Sequence, residues 1–232
     1  MKKLILIAAF AVTAFSQAAL AQTNIQMFYD FGKDRKYVTT TVEGFYGDKV
    51  GDTFFFIDLY YANRANTYGA CNGAYFELER SFCFWKESAL KDLSVLVEYD
   101  GSAFGDFSSS TFDFGPKYTF HSQDWSKFIS VAVVYDVMFG AKADVPIKVT
   151  GAWCINNLFG AKGLIFKGFY DFWGLNSSWG SDVTKWSFLS EPQIWYNCCK
   201  HLDVGTEIEC SVNFAGHKGF MCNPCLGVRY TF

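Results

Sequence analysis

Thr111-Phe112-Asp113-Phe114-Gly115-Pro116-Lys117-Tyr118-Thr119-Phe120 changes character at every step, apolar residues on even numbers and polar or small ones on odd numbers. A period of two puts one kind of residue on each face of an extended strand, since successive side chains point to opposite sides. The same alternation runs through Leu202–Val212, where Leu202, Val204, Thr206, Ile208, Cys210 and Val212 interleave with Asp203, Gly205, Glu207, Glu209 and Ser211. It recurs from Leu93 to Asp100. Worked outward from these stretches, twelve such segments are predicted, near residues 23–31, 36–46, 53–61, 73–82, 92–100, 110–120, 127–137, 145–155, 162–173, 185–196, 201–212 and 220–232. No stretch longer than about two turns carries the 3.6-residue period of a helix. The expected fold is therefore one all-β domain with antiparallel strands joined in sequence.

Composition narrows the class. Of 232 residues 50% are apolar and 20% aromatic, far more than a disordered chain carries. Lys+Arg number 20 against 23 Asp+Glu, with no basic run, which argues against nucleic acid as a partner. Residues 1–21 read as a secretory signal peptide: Met1-Lys2-Lys3, an apolar stretch from Leu4 to Phe15, and a small-x-small ending at Ala19-Leu20-Ala21. Residues 22–232 then form the exported domain, and Gln22 in place of Cys gives no sign of a lipid anchor.

Alternation alone fits a soluble sandwich as well as a membrane barrel. Three features favour a transmembrane barrel of outer-membrane type. Aromatics sit near strand ends on the apolar face (Tyr29, Phe31, Tyr61, Tyr99, Tyr135, Trp153, Tyr170, Trp186, Tyr196, Tyr230), as interfacial girdles require. Within strands only Arg80 places a charge on that face. The chain also stops at Val228-Arg229-Tyr230-Thr231-Phe232, an alternating strand with a terminal Phe that resembles the signal read by barrel-assembly machinery. Short connections (47–52, 121–126, 197–200) alternate with longer ones (62–72, 101–109, 174–184), and an even strand count puts both termini on the periplasmic side. Pro116, Pro146, Pro192 and Pro224 all fall on strands, where β-bulges are the expected accommodation.

The inward face would carry fourteen acids: Asp30, Glu43, Asp58, Glu77, Glu79, Glu98, Asp100, Asp113, Asp136, Asp171, Glu191, Asp203, Glu207 and Glu209. Against them stand Lys117, Lys148, Lys167 and Arg229. Such a wall repels anions and favours cations or neutral polar solutes. Phe28, Phe56, Tyr75, Phe169, Trp173 and Trp195 would share the lumen and offer stacking faces. Twelve strands lie between the filled eight-stranded barrel and the wide sixteen-stranded pore. The expectation is a monomeric, narrow channel for passive diffusion of small neutral solutes in the lipid of the outer membrane. The alternative is a plugged barrel serving as a structural protein or surface receptor.

Five stretches carry a family resemblance: Phe28-Tyr29-Asp30-Phe31-Gly32, Phe54-Phe55-Phe56-Ile57-Asp58, Tyr75-Phe76-Glu77-Leu78-Glu79, Phe188-Leu189-Ser190-Glu191-Pro192-Gln193 and Gly205-Thr206-Glu207-Ile208-Glu209. With the C-terminal strand they resemble the nucleoside-specific channel-forming proteins of the outer membrane, and a related, poorly characterised outer-membrane family of Bacteroides-type bacteria. The Phe76-Glu77-Leu78-Glu79 stretch is similar to the nucleoside channels, whose paired acids on one strand face the lumen. The resemblance implies nucleosides as solutes.

Neither a cofactor nor a metal is expected, and no enzyme. His121, His201 and His217 fall at strand ends or in loops, with no nucleophile held beside a base. Cys71, Cys83, Cys154, Cys198, Cys199, Cys210, Cys222 and Cys225 are expected mainly as packed thiols, with room for one or two bridges. Cys222-Asn223-Pro224-Cys225 has CxxC spacing, yet on a strand its two thiols face opposite sides.

Overall fold

The computed structural model describes residues 22–33, 35–61 and 70–232; the signal peptide and most of the 62–72 connection lie outside them. Twelve antiparallel strands follow one another around a closed barrel: β1 (Gln22–Asp30), β2 (Val38–Asp48), β3 (Gly51–Tyr61), β4 (Gly73–Phe82), β5 (Leu93–Phe104), β6 (Phe107–His121), β7 (Lys127–Met138), β8 (Ile147–Asn156), β9 (Leu164–Trp179), β10 (Asp182–Ser190, continuing as Gln193–Cys199), β11 (Leu202–Phe214) and β12 (His217–Thr231). Each pairs with its neighbours in sequence, and β12 returns to β1 in a register from Asn24 opposite Thr231 to Asp30 opposite Cys225. Closure leaves no open sheet edge, the condition for strands to cross a bilayer whose interior offers no hydrogen-bond partners. A single turn of 3₁₀ helix, Leu158–Gly160, joins β8 to β9.

The predicted segments match these strands closely. The differences lie at the end opposite the termini, called the outer end below. Two of the expected longer loops there are strand instead: β5 and β6 run on to a turn at Gly105-Asp106, and β9 and β10 to one at Gly180-Ser181. Gly105 (φ 62°) and Gly180 (φ 66°) supply the left-handed residue each tight turn needs. Ser102 pairs with Ser109, Ala103 with Ser108 and Phe104 with Phe107, so the hairpin continues where the apolar–polar alternation has stopped.

The prolines correct a second expectation, because none sits at a bulge. The register of β10 with β9 and β11 is the same on both sides of Pro192. Pro146 precedes β8, and its carbonyl accepts from Asp136 N–H at 3.0 Å. The Pro224 carbonyl accepts from Phe31 N–H at 2.9 Å, just beyond the end of β1. At Gly115-Pro116 the ladder to β7 opens and resumes in the same register. The missing donors therefore fall at strand ends, a strand break and a local opening, and no extra residue is inserted.

The outward face is apolar: Met27, Ile57, Leu78, Phe114, Ile129, Tyr196 and Leu226 are all exposed. Arg80, the outward charge, is held near the terminal end by Asp48 at 2.9 Å. The interior is mostly polar, with two apolar patches: Phe28, Trp195 and Cys225 in one, Leu96, Ala132 and Val134 in the other.

Candidate functional site in the barrel lumen

Because the pleat alternates, each strand contributes every second residue to the lumen. The acids expected inside are indeed on that face, and they divide into two groups. Eight have a cation. Lys148 lies 2.5 Å from both Glu98 and Asp113 and 3.7 Å from Asp100, nearly sealed from solvent. Lys117 pairs with Glu79, and Lys167 holds both oxygens of Glu43 at 2.9 Å. Arg229 donates to Asp203 at 2.8 Å while its guanidinium lies 4.7 Å from the Trp195 ring.

The fifth cation, Arg35, was not among the inward bases expected from the sequence. It stands in the β1–β2 connection, outside any alternating segment, so periodicity carried no signal for it. Its guanidinium binds Glu209 through two bonds of 2.7 Å and Asp30 through one of 3.1 Å. Asn223 donates to the same Glu209 at 3.1 Å. A loop side chain thus clamps β1 to β11 inside the outer end. Two-pronged contacts of this kind fix geometry as well as charge.

The remaining six, Asp58, Glu77, Asp136, Asp171, Glu191 and Glu207, form no ion pair among the described residues. Asp136 is buried, opposite Asp113 in the register. The other five are only half-buried. Their contacts are neutral: Thr41 to Asp58 at 2.5 Å, Tyr75 to Glu77 at 3.4 Å, and Gln193 to Glu207 at 2.5 Å. Half-buried aromatics accompany them, with the Phe56 and Tyr75 rings 5.5 Å apart and Tyr60 donating to Asp58 at 3.4 Å. Phe169 lies on the same face of β9 as Asp171.

The expected inward aromatics split in the same way. Phe56, Tyr75 and Phe169 keep some exposure, whereas Phe28, Trp173 and Trp195 are buried. Trp195 is completely enclosed, packed on Phe28 at 5.5 Å and donating to Gln193 at 2.8 Å. One part of the lumen is filled by side chains locked to each other, and another is lined by rings and by acids that form no ion pair among the described residues. Two acidic groups, Glu77/Glu79/Glu98 and Glu98/Asp100/Asp113, bring oxygens within 4.8 Å of one another. Lys117 and Lys148 already supply positive charge there.

The model of one protein family, described as a domain of unknown function (DUF5020), matches residues 21–232. The chain belongs to this family. No curated protein matches it. Among solved structures, this DUF5020 member is similar to one titled as the NanC porin (TM-score 0.54, 10% identity, 90% of this chain and 100% of that one). It is also similar to one titled as the KdgM porin (TM-score 0.52, 8% identity, 91% of this chain and 99% of that one). At such identities the likeness is one of fold: an outer-membrane barrel of the porin type.

Proposed function

We propose that this barrel is a narrow channel for passive diffusion of small uncharged polar solutes, nucleosides being the class that suits it best, with anions excluded. The observation that carries this reading is the lining of Asp58, Glu77, Asp171, Glu191 and Glu207, half-buried and in no ion pair among the described residues, beside Phe56, Tyr60, Tyr75 and Phe169. Carboxylates accept hydrogen bonds from sugar hydroxyls. Rings stack on any base, at about 1–3 kcal/mol per base. A phosphorylated solute meets surplus negative charge in a confined, low-dielectric space and is turned away. The resemblance of Phe76-Glu77-Leu78-Glu79 to nucleoside channels supports the same class.

The test is single-channel conductance of the folded protein in a planar bilayer, with adenosine, thymidine and a nucleotide titrated in. Saturable block by the nucleosides alone is the expected result, and Glu77→Gln with Glu207→Gln should weaken cation preference. Steady current without block would remove nucleosides and leave a general cation-preferring pore. A second reading has its own support: Trp195 and Asp113 have no exposure at all, so much of the lumen is packed. No current from a correctly folded barrel would favour a plugged structural or receptor role.

A further inference from the structure

Two thiols stand side by side on the barrel wall. Cys210 of β11 and Cys222 of β12 are direct cross-strand partners, in a register that runs unbroken from Leu202 opposite Tyr230 to Val212 opposite Phe220. Both point outward, because the adjacent Glu209 and Asn223 are buried inside the barrel.

The ladder decides how close they come. Ile208 N–H donates away from β12, to the Pro192 carbonyl at 3.0 Å, and the Pro224 carbonyl accepts from Phe31, just past the end of β1, at 2.9 Å. Ile208 and Pro224, which face each other, therefore turn their backbone groups to the strands on either side. Cys210 and Cys222 follow one pleat period along and do the same. Such non-hydrogen-bonded pairs bring Cα atoms to about 4.5 Å, within the roughly 4.4–6.8 Å that a disulfide spans.

None of the other cysteines has this arrangement among the described residues. Cys225 points inward, buried against Phe28 and Trp195, so the CxxC spacing puts its thiols on opposite sides of the wall. Cys154 faces Phe128 and Lys167 across its ladders, and Cys199 faces Leu202.

We propose that Cys210 and Cys222 are joined by a cross-strand disulfide in the exported protein. Compartments beyond the inner membrane are oxidising. The two thiols lose two protons and two electrons, and a disulfide-bearing exchange protein of the envelope accepts them, becoming a dithiol after a mixed-disulfide intermediate. The bond staples the β11–β12 hairpin at the level where Arg35 grips Glu209 inside, so both faces of the wall are tied at the same height.

The experiment isolates the full chain from outer membranes in the presence of N-ethylmaleimide, unfolds it, digests it with trypsin and weighs the peptides before and after reduction. The expected result is residues 201–218 linked to 219–229 in the unreduced sample, both peptides appearing singly after reduction. The second peptide holds Cys225 as well, so variants assign the partner: Cys225→Ser should keep the link and Cys222→Ser should abolish it. Alkylated Cys210 and Cys222 in unreduced wild-type protein would overturn the proposal. So would a link that survives Cys222→Ser. The wild-type measurement needs no variant to fold.

Discussion

Lys148 shows what one side chain does inside this barrel. Three carboxylates surround it, two of them at 2.5 Å, and almost no water reaches any of the four groups. Removing one partner of a buried ion pair leaves the other charged and unsolvated, at about 3–5 kcal/mol. Lys148→Met should therefore lower the unfolding free energy of the barrel by that order, read from urea titrations in detergent micelles. Adding Glu98→Gln, Asp100→Asn and Asp113→Asn should recover most of the loss, since none of the three carboxylates is then left charged beside the methionine. Outside the bilayer, Asp124 in the β6–β7 turn accepts from the Ser122 hydroxyl and from the Ser126 backbone and hydroxyl, which hold its carboxyl down at about 2 instead of 3.8. A depressed folded value means that the turn contact stabilises the protein above the unfolded value and that the benefit fades as pH falls through 2. An NMR titration in micelles should find Asp124 ionised at pH 3, and Ser122→Ala with Ser126→Ala should move its midpoint back toward 3.8.

At the scale of elements, the β1–β2 connection matters more than its length suggests. It carries Arg35 into the outer end of the lumen, where the guanidinium neutralises Asp30 and Glu209 and occupies space. If the barrel conducts, Arg35→Ala should raise conductance and increase cation preference, read from reversal potentials in a salt gradient. Arg35→Lys keeps the charge but loses the two-pronged contact, so it should change conductance more than selectivity. An unchanged current in both variants would mean that Arg35 does not lie on the permeation path. Strand ends show the complementary logic. Each proline stands at a strand end, in the break of its own strand or at a local opening of the ladder, so a closed sheet with no free edge still loses few ladder bonds.

For the whole molecule, charge and closure act together. Five cations pair with eight acids inside and leave six carboxylates over. In the proposed channel, the unpaired part would give the lumen its sign. Closure depends on the last strand pairing with the first, and Phe232 lies at that seam, its N–H donating to the Thr23 carbonyl at 3.1 Å. Deleting Phe232 should reduce the amount of folded barrel in outer membranes, measured by heat-modifiable gel mobility, while refolding into detergent in vitro stays close to normal. Equal loss in both settings would assign Phe232 a packing role and not one in recognition by the assembly machinery.

The barrel class came from the aromatics near strand ends, the near absence of outward charge and the closing strand with its terminal Phe. The two-residue period by itself determined the strands and the face each side chain takes, because in a strand orientation depends only on whether a position is odd or even. That is why Glu98, Asp113, Glu207 and Glu209 were legible as inward acids, and why Cys222 and Cys225 were legible on opposite faces. Periodicity says nothing of what lies across the lumen. Lys148 on β8 reaches Glu98 on β5 and Asp113 on β6, and Lys167 on β9 reaches Glu43 on β2, distances along the chain that no local pattern encodes. Arg35 lay beyond any pattern, in a loop without alternation. The division of the acids into paired and unpaired came only from closing the sheet, because it depends on which side chains the curvature brings face to face.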